Sequence, residues 1–436
     1  MKISVATLGC KVNQFDTAAL IEKLREEGNI IVPFGCKVDI SIINTCTVTA
    51  RTDYQSRQLV RRAKKASPEA GIIVTGCYAQ VAARELAALP EVTAVIGNAE
   101  KEDIPQILSH LTPDRTTIAV GDISGCSRIA RWSVKSFPDH TRAFIRVQEG
   151  CDAFCTYCIV PFARGPSRSL PPGDVMDQIA ALASSGYKEV VISGIHLGAY
   201  GSDLNPATSL SELLGLIDGS RMMRRVRLSS IEPLEIEPGL IARIVESTSI
   251  CRHLHVSLQS GDDTILRSMN RHYSSRYFSE LIEVLVKNLP DVAVGLDVMT
   301  GFPGEGEREF KNTLSLIDGL PVAYLHVFPY SRRPGTIAAG YSDTVKEDAK
   351  KDRVRILRQL SNYKRNLFAK RFIGRKLSVL IETKPDRITG LKKGYTGNYI
   401  PVMIDSDDSN LSNRIIDVTC DNVRDGIILG RFKDHG

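Results

Sequence analysis

Three cysteines, Cys151, Cys155 and Cys158, lie close together in the segment QEGCDAFCTYCIVP, directly after a predicted strand. Thiolates on one tight loop can each bind one iron of a cubane. A 4Fe–4S cluster ordinarily takes four protein thiolates, and no fourth cysteine stands nearby in the sequence. The spacing therefore predicts an iron–sulfur cluster with one iron left open to a cofactor or a substrate.

Two other kinds of site use closely spaced cysteines. Zinc sites favour pairs of cysteines about two to four residues apart, with a second pair completing a tetrahedron. Ferredoxin loops supply a fourth cysteine, commonly followed by proline. Neither pattern fits this loop well. An RNA-binding protein with zinc-filled sites and an iron–sulfur protein that only transfers electrons remain the alternative functions, and the metal content separates the first of them from an iron enzyme.

Three further cysteines are distant in sequence, but each follows a predicted strand. Cys10 follows ISVATL, Cys46 follows VDISIIN and Cys77 follows GIIVT. Strands that alternate with helices predict a parallel sheet, and the carboxyl ends of its strands share one edge where ligand sites gather. We therefore expect these three thiols to converge on a second site. The helices are predicted at 17–27, 49–66 and 79–89, and a fourth strand at VTAVIGN.

The composition is typical of a globular protein with more than one domain. The chain has 436 residues, 43% hydrophobic and 24% charged, which is long for one domain. No run approaches the ~18 apolar residues of a membrane span, and the amino terminus does not resemble a secretory signal. We expect a cytoplasmic protein with no membrane partner. Its ten cysteines then indicate metal binding or catalysis, because disulfides are rare in that reducing compartment.

A second series of strands and helices begins near Ala143. Six successive βα units that curve right-handedly predict a partial (β/α)6 barrel, with its chemistry at the carboxyl ends of the strands. Two of the intervening helices are predicted at 175–185 and 277–287. The predicted strands are AFIRVQ, EVVISG, RVRLSS, HLHVSLQ, VAVGLDVMTG and VAYLHVFPY.

The predicted fold class is α/β, with three domains and a linker. Residues 112–141 are polar and turn-rich and contain Cys126 and the single tryptophan, which is typical of a linker. Residues 346–376 form a helical run dense in Lys and Arg. The short strands and turns that follow predict a small antiparallel β-barrel, an architecture often used on nucleic acids. The expected domains are 1–111, 142–372 and 373–436.

The first cysteine loop resembles the signature of the radical S-adenosylmethionine (SAM) enzymes, in which an aromatic residue, here Tyr157, precedes the last cysteine. The resemblance implies that the open iron of a 4Fe–4S cluster at Cys151, Cys155 and Cys158 chelates SAM. Cleavage of that SAM would yield a 5′-deoxyadenosyl radical. A low-potential electron donor, such as flavodoxin or ferredoxin, is implied as a partner.

The resemblance extends over the whole chain to the methylthiotransferases of this family. TLGCKVNQFD, INTCTVT and TGCYAQ resemble their amino-terminal domain, and RLSSIEP, HVSLQSGDD, TGFPGE and PYSRRPGT resemble their barrel. GYTGNYIPV resembles their RNA-binding TRAM domain. The resemblance implies that Cys10, Cys46 and Cys77 hold a second 4Fe–4S cluster, whose open iron holds the sulfur that is transferred. One SAM would supply the methyl group and another the radical.

Members of this family act on isopentenyladenosine in tRNA, on threonylcarbamoyladenosine in tRNA, or on an aspartate of a ribosomal protein. TLGCKVNQFDT, INTCTVT and PYSRRPGTIAA are most similar to the threonylcarbamoyladenosine branch (the MtaB type), which modifies position 37 of tRNA. The net charge of +6 is mild, but the basic run at 350–376 and RRAKK from Arg61 favour an RNA backbone as partner. A monomer is the default oligomeric state.

Several residues near the ends of the barrel strands could bind the cofactor. The glycines of SGIHLGAYG would allow the close backbone approach that SAM needs, and a carboxylate or an amide at a strand end could hydrogen-bond to it. His196 and Ser257 stand at similar positions, where a structural role is an equal alternative for the histidine. The expected cofactor-binding residues are Tyr157, Ser193, Gly194, Glu232 and Gln259.

Other polar residues near the cysteines could meet the substrate. Asn13 and Asp16 follow Cys10, where they could orient a cluster or accept a hydrogen bond, and for Asp16 we favour a helix cap. Arg164 and Arg168 could meet an anion such as a phosphate or a carboxylate, or they could be solvated surface residues. The expected substrate-binding residues are Asn13, Arg164 and Arg168. Four cysteines lack a motif and are expected to be incidental thiols: Cys36, Cys126, Cys251 and Cys420.

Overall fold

The structure is a computed structural model that describes residues 1–111, 115–137, 140–342, 345–406 and 408–432, without the side chain of residue 409. The expected start of the linker at 112 and the end of the chain at 436 lie outside the described residues. Within these ranges, no helix is long and apolar enough to cross a membrane.

The amino-terminal part of the chain alternates strands with helices, as predicted. Its strands are β1 (Lys2–Thr7), β2 (Ile30–Val32), β3 (Ile40–Thr45), β4 (Gly71–Gly76), β5 (Ala94–Ile96) and β6 (Thr117–Ala119). Its helices are α1 (Lys11–Glu26), α2 (Ala50–Ala66), α3 (Cys77–Val81), α4 (Ala83–Ala87) and α5 (Ile104–Leu108). The strands form one parallel sheet in the order β2-β1-β3-β4-β5-β6. Apolar strands covered on both faces by helices explain this architecture.

Two helices of this part differ from the predicted bounds. Helix α1 begins at Lys11 rather than at residue 17, because its first turns bury Val12 and Phe15 together with the polar Asn13 and Asp16. Because these buried positions are polar, the spacing of apolar residues does not reveal the first turns of the helix. The helix predicted at 79–89 is two short helices, α3 and α4, interrupted at Ala82.

The six predicted barrel strands are confirmed. The strands of this part are β7 (Ala143–Arg146), β8 (Gln148–Glu149), β9 (Arg168–Ser169), β10 (Glu189–Ser193), β11 (Arg225–Leu228), β12 (Ser230–Ile231), β13 (His253–Gln259), β14 (Ala293–Thr300) and β15 (Tyr324–Pro329). The helices are α6 (Val160–Arg164), α7 (Pro172–Ser184), α8 (Leu210–Ser220), α9 (Pro238–Glu246), α10 (Asp263–Ser268), α11 (Ser275–Asn288), α12 (Glu307–Gly319) and α13 (Glu347–Lys370).

These strands form an open parallel barrel in two segments. One sheet has the order β11-β10-β7 and the other the order β12-β13-β14-β15, and only Ser229 separates β11 from β12. The short pair β8 and β9 lies beside them. All neighbours within the two main sheets are parallel. The carboxyl ends of the strands therefore share one rim, where a parallel barrel carries its active site.

The basic helix α13 turns part of its charge inward. It packs against β15, and Arg353 pairs with the buried Glu305 at 2.7 Å. Lys364 donates to the carbonyl oxygen of Leu320 at 2.8 Å. Exposed cations remain, including Lys351 and Arg355, but each has an acidic neighbour on the helix. The buried cations of this run therefore do not face an RNA backbone, and RNA contact stays a prediction for the exposed ones.

The carboxyl-terminal part closes into a small β-barrel, as predicted. Its strands are β16 (Lys376–Ile381), β17 (Lys392–Thr396), β18 (Pro401–Ile404), β19 (Ile415–Arg424) and β20 (Ile427–Arg431). They close in the order β16-β17-β18-β20-β19. Four of the five pairings are antiparallel, whereas β18 and β20 are parallel. The barrel is therefore mixed rather than wholly antiparallel.

Two arginines of β11 join the small barrel to the large one. Arg225 and Arg227 each donate to two backbone carbonyls of the small barrel, at 2.7–3.2 Å. Arg227 is buried and also donates to the buried carboxylate of Glu189 at 2.7 Å. The accepting carbonyls belong to Ser378, Tyr395, Thr396 and Gly397.

We expect the substitution Arg227→Met to destabilise the protein strongly. It removes the shorter of the ion pairs of Glu189 and leaves that carboxylate buried, which costs about 3–5 kcal/mol. Urea unfolding followed by circular dichroism measures the loss. Arg276→Met is the matched control, because Arg276 pairs with Glu280 on the exposed face of α11, and its unfolding midpoint should stay near that of the wild type. Equal midpoints for the two variants would contradict the prediction.

Candidate active site

The loop that carries Cys151, Cys155 and Cys158 connects β8 to α6 at the rim of the large barrel. It leaves the strand through Gly150, whose φ is +74° and where a Cβ would clash with the carbonyl oxygen of Pro166. Backbone hydrogen bonds then fix the loop, since the amide of Cys151 donates to Gly165 at 3.0 Å and that of Cys158 to Cys155 at 2.9 Å. Backbone hydrogen bonds within the loop and to the residue after α6 thus hold the loop in shape.

The three thiols of this loop lie close enough to repel one another as thiolates. Burial, together with the neighbouring thiols of Cys155 and Cys151, raises the pKa of Cys158 to about 12. Burial likewise raises the pKa of Cys155. Thiols in such a place stay protonated unless a cation binds them. Three sulfur donors on one loop therefore fit an iron–sulfur cluster better than they fit a reactive thiol.

The structure brings the three distant cysteines together at the carboxyl edge of the amino-terminal sheet. Cys46 directly follows β3, Cys77 directly follows β4, and Cys10 precedes α1. Burial and then the proximity of Cys77 raise the pKa of Cys46 to about 12. Gly9 has a φ of +113°, and a Cβ at this position would lie 3.3 Å from the sulfur of Cys46. Glycine is therefore required where the chain passes this second set of thiols.

Arg164, at the end of α6, lies between the two sets of thiols. It is fully buried, and its Nε donates to the sulfur of Cys77 at 3.3 Å. Its other nitrogens donate to Asp16, Glu149 and Asn13. The alternative that Arg164 is a solvated surface residue is therefore wrong. The anion that it meets is the protein's own pair of carboxylates.

Asp16 is the centre of this charge network and does not cap a helix. It lies inside α1 and accepts hydrogen bonds from Lys101 and Arg146, each at 2.8 Å, in addition to Arg164. Burial alone would raise the pKa of Asp16, but these three cations outweigh it and hold the pKa well below its usual range. The favoured role of Asp16 as a helix cap is wrong, because its partners lie far away in sequence.

Asn13 and Arg168 are also occupied by the protein itself. The Asn13 amide donates to the carbonyls of Leu8 at 2.7 Å and Thr45 at 3.0 Å, and so fixes the segments beside Cys10 and Cys46. Arg168 is buried and donates to three backbone carbonyls, those of Cys126, Pro166 and Arg164. Among the described residues, the Nε of Arg168 has no hydrogen-bond partner. The substrate contacts expected of these two side chains stay predictions.

Tyr157 and Glu232 meet through an arginine that the sequence analysis missed. Arg271 donates to the hydroxyl of Tyr157 at 2.8 Å and pairs with Glu232. The ring of Tyr157 packs edge-on against Phe302, with 6.3 Å between the ring centroids. Burial raises the pKa of Glu232 in spite of the arginine. Together these residues connect the cysteine loop to the ends of β12 and β14 and to the segment after α10.

The remaining cofactor candidates line the same rim. The amide of His196 donates to Gln148 at 2.7 Å, and a Cβ on Gly194 would lie 2.9 Å from the same Gln148 oxygen. His196 also lies 3.6 Å from the sulfur of Cys151. Ser193 is buried, with its hydroxyl 3.4 Å from the carbonyl oxygen of Val191.

Gln259 offers a free acceptor at the end of β13. Its φ is +62°, and the side chain is buried. Among the described residues, nothing donates a hydrogen bond to its Oε1. A buried acceptor without a partner costs stability, so this atom fits a bound cofactor with N–H or O–H donors.

Below the rim, three residues of neighbouring strands could hold a divalent ion. The carboxylate of Asp297 lies 2.8 Å from His255 and 3.6 Å from His326. All three candidate ligand atoms lie within 4.8 Å of one another. The contact between His255 and Asp297 already accounts for their proximity. No local pattern in the sequence signals this group, because one residue comes from each of three strands.

The other four cysteines join neither set of thiols in the described structure. Cys36 is exposed, whereas Cys251 and Cys420 are buried. Cys126 is partly buried, and its carbonyl oxygen accepts a hydrogen bond from Arg168.

Models of two protein families match this chain. One, described as "Uncharacterized protein family UPF0004", matches residues 2–97, and the other, the "Radical SAM superfamily", matches residues 145–317. The first range contains Cys10, Cys46 and Cys77, and the second contains the loop at Cys151. Among solved structures, the radical SAM methyltransferase TsrM from Kitasatospora setae is similar in fold, with a TM-score of 0.56 and 14% identity over 77% of this chain and 76% of that chain.

Curated relatives match nearly the whole chain. The chain is 40% identical over 407 residues to the threonylcarbamoyladenosine tRNA methylthiotransferase MtaB of Bacillus subtilis (strain 168), with 92% of this chain and 90% of the relative covered. It is 32% identical over 411 residues to the tRNA-2-methylthio-N(6)-dimethylallyladenosine synthase of Clostridium botulinum (strain Okra / Type B1), with 92% and 91% covered. The chain therefore belongs to the radical SAM superfamily and, within it, to the methylthiotransferase family.

Proposed function

We propose that this protein converts N6-threonylcarbamoyladenosine at position 37 of tRNA to its 2-methylthio derivative. The chain is more similar to the threonylcarbamoyladenosine enzyme of B. subtilis than to the dimethylallyladenosine enzyme of C. botulinum, over closely similar lengths. Isopentenyladenosine in tRNA and a ribosomal-protein aspartate are the alternative substrates.

The position of Arg164 supports a reaction that uses both sets of thiols. One buried side chain touches Cys77 of one set of thiols and ends the helix that begins two residues after Cys158 of the other set. Asn98 adds a second link, since it donates to the carbonyl of Ala163 in the same helix and lies 3.9 Å from the sulfur of Cys77. Two adjacent sets of three thiols suit a reaction in which a radical and a sulfur donor act on one substrate.

Membership of the radical SAM superfamily implies a 4Fe–4S cluster and SAM as cofactors. We assign that cluster to Cys151, Cys155 and Cys158, and a second 4Fe–4S cluster to Cys10, Cys46 and Cys77. When bound, these groups supply the 5′-deoxyadenosyl radical, the methyl group and the sulfur for the product. A radical is the suitable reagent here, because an aromatic C–H is too strong and too weakly acidic for a side-chain base.

The protein's own residues would position these groups. We assign the binding of SAM to Tyr157, Ser193, Gly194, Glu232 and Gln259. Gly194 lets the backbone pack tightly against Gln148, and the free Oε1 of Gln259 can accept a hydrogen bond. Arg271 keeps Tyr157 and Glu232 in place. The buried network of Asp16 and Arg164 would exclude water from the region between the clusters, which protects a radical reaction.

We propose that the small barrel is a TRAM domain and that it binds tRNA. Its loop at 383–391 is largely exposed, with Arg387 and Ile388 at the surface. Arg61 and Lys65 of α2 add exposed cations on the amino-terminal domain. Phosphate contacts of this kind would make binding sensitive to salt.

The remaining assignments complete the proposal. We place the domains at 1–111, 142–372 and 373–436, with a linker at 112–141. The protein acts as a cytoplasmic monomer and receives electrons from a flavodoxin or a ferredoxin.

In cells that lack the gene, we expect 2-methylthio-threonylcarbamoyladenosine to disappear from tRNA and its unmethylthiolated precursor to accumulate. A wild-type copy should restore the product, whereas Cys151→Ala and Cys10→Ala copies should each fail, because each removes a ligand of one cluster. Mass spectrometry of tRNA nucleosides measures the change. Cys36→Ala is the control, since Cys36 is exposed, and it should restore the product fully. An unchanged nucleoside in the deletion strain would refute the substrate assignment.

We expect Arg164→Met to lower the reduction potential of the cluster at Cys77. We also expect it to lower the activity about 10- to 100-fold. The change removes a positive charge and a hydrogen bond to a ligand sulfur, both of which favour the reduced cluster. A redox titration monitored by electron paramagnetic resonance measures the potential. Arg168→Met is the matched control, because Arg168 is equally buried but donates only to carbonyls. The same potential in wild type and Arg164→Met would contradict this role.

A further inference from the structure

Lys11 has an unusual environment for a lysine. It directly follows Cys10, begins α1 and is partly buried. Among the described residues, no carboxylate forms an ion pair with its ammonium group and no acceptor forms a hydrogen bond with it. A partly buried charge without a counter-charge is costly. An anionic ligand would remove that cost.

Lys11 lies close enough to Tyr399, Arg142 and Arg227 to interact with them electrostatically. We call these four residues, together with His253, the Tyr399 cluster. The ring of Tyr399 lies 4.6 Å from the guanidinium of Arg227, 5.2 Å from that of Arg142 and 4.8 Å from the ring of His253. The cluster thus consists of Lys11, Arg142, Arg227, His253 and Tyr399. One member comes from the amino-terminal part, three come from the large barrel and one from the small barrel.

The cluster carries an excess of positive charge. Arg142 pairs with Glu382 at 3.0 Å and Arg227 with Glu189 at 2.7 Å, so that each arginine has its own carboxylate. Lys11 has none. The positive charges of the cluster act on Tyr399. Burial raises the pKa of its hydroxyl, but Arg142, Lys11 and Arg227 together lower that pKa below the usual value. The unmatched charge of the cluster is therefore that of Lys11.

The position of Lys11 beside Cys10 suits one part of the proposed substrate. In adenine, C2 and the amino group at C6 flank N1 on one edge of the ring. A residue that binds an N6 substituent must then lie near the group that delivers sulfur to C2, which we assign to the cluster at Cys10, Cys46 and Cys77. The threonylcarbamoyl substituent ends in a carboxylate, whereas an isopentenyl substituent carries no charge.

We infer that Lys11 binds the carboxylate of the N6 substituent, and that the Tyr399 cluster is the subsite that selects an amino-acid-bearing adenosine. This inference rests on the proposed function. Two other anions could bind to Lys11, namely the carboxylate of SAM and an RNA phosphate. Both are distinguished from the substituent by the experiment below.

The test compares two RNA substrates with the full-length enzyme carrying both clusters. One anticodon stem–loop bears threonylcarbamoyladenosine, and the other bears its carboxamide, which has the same shape but no charge. We expect the wild type to prefer the carboxylate by about 10- to 100-fold in kcat/KM, the range of one charged hydrogen bond. In Lys11→Gln this ratio should fall to near one, and Lys11→Arg should keep most of it.

Two measurements identify the anion. The formation of 5′-deoxyadenosine from SAM in the absence of RNA reports on the SAM carboxylate, and the affinity for a stem–loop with unmodified adenosine reports on phosphate. A loss of either in Lys11→Gln would overturn the inference. Lys37→Met, at an exposed lysine of the same domain, is the control and should keep the wild-type ratio.

The remaining outcomes are distinct. A wild-type ratio near one, or a Lys11→Gln enzyme that keeps the wild-type ratio, would overturn the inference while the proposed function stands. If the wild-type enzyme with intact clusters modified neither RNA, the proposed function itself would fail, and the inference with it. Iron content of Lys11→Gln is checked first; if it is low, Lys11→Met provides the uncharged variant for the same ratio.

Discussion

A single buried cation organises the centre of this molecule. Arg164 ends the helix that follows one set of thiols, contacts a sulfur of the other set, and is neutralised by Asp16 and Glu149. A buried guanidinium is tolerable only where carboxylates surround it, so the amino-terminal sheet and the large barrel must meet in one relative position. Lys101 and Arg146 balance the second negative charge. Helix α3, which begins at Cys77, and helix α6, which follows Cys158, are thereby packed together.

The elements that position the cysteines could be predicted from the sequence, because they follow local rules. The alternation of apolar strands with helices predicted both parallel sheets. The position of Cys10, Cys46 and Cys77 after successive strands predicted that these thiols would meet. The charge network could not be predicted, because Asp16, Lys101, Arg146 and Arg164 are scattered over about 150 residues and no local pattern links them. For the same reason Asp16 was expected to cap a helix, and Arg271 was missed. The start of α1 was misplaced because its first turns bury polar residues.

The small carboxyl-terminal barrel packs against the large barrel. Arg225 and Arg227 tie the small barrel to β11, and Tyr399 is placed against Arg142 and Arg227. The small barrel, which we propose to bind RNA, therefore also contributes a ring near Lys11. In the function that we propose, the recognition of tRNA and the recognition of one modified base are parts of the same structure. Such an arrangement suits an enzyme that must find one nucleoside within a large RNA.

We propose that the chain holds two iron–sulfur clusters, one on each set of thiols. Iron and sulfide analysis of the anaerobically reconstituted full-length protein tests this claim, with Mössbauer spectra to identify the clusters. We expect about eight iron atoms per chain, four for each cubane. Replacing Cys10, Cys46 and Cys77 together with alanine should leave about four, and so should replacing Cys151, Cys155 and Cys158. About four iron atoms in the wild type, or no loss of iron in either triple variant, would contradict the claim.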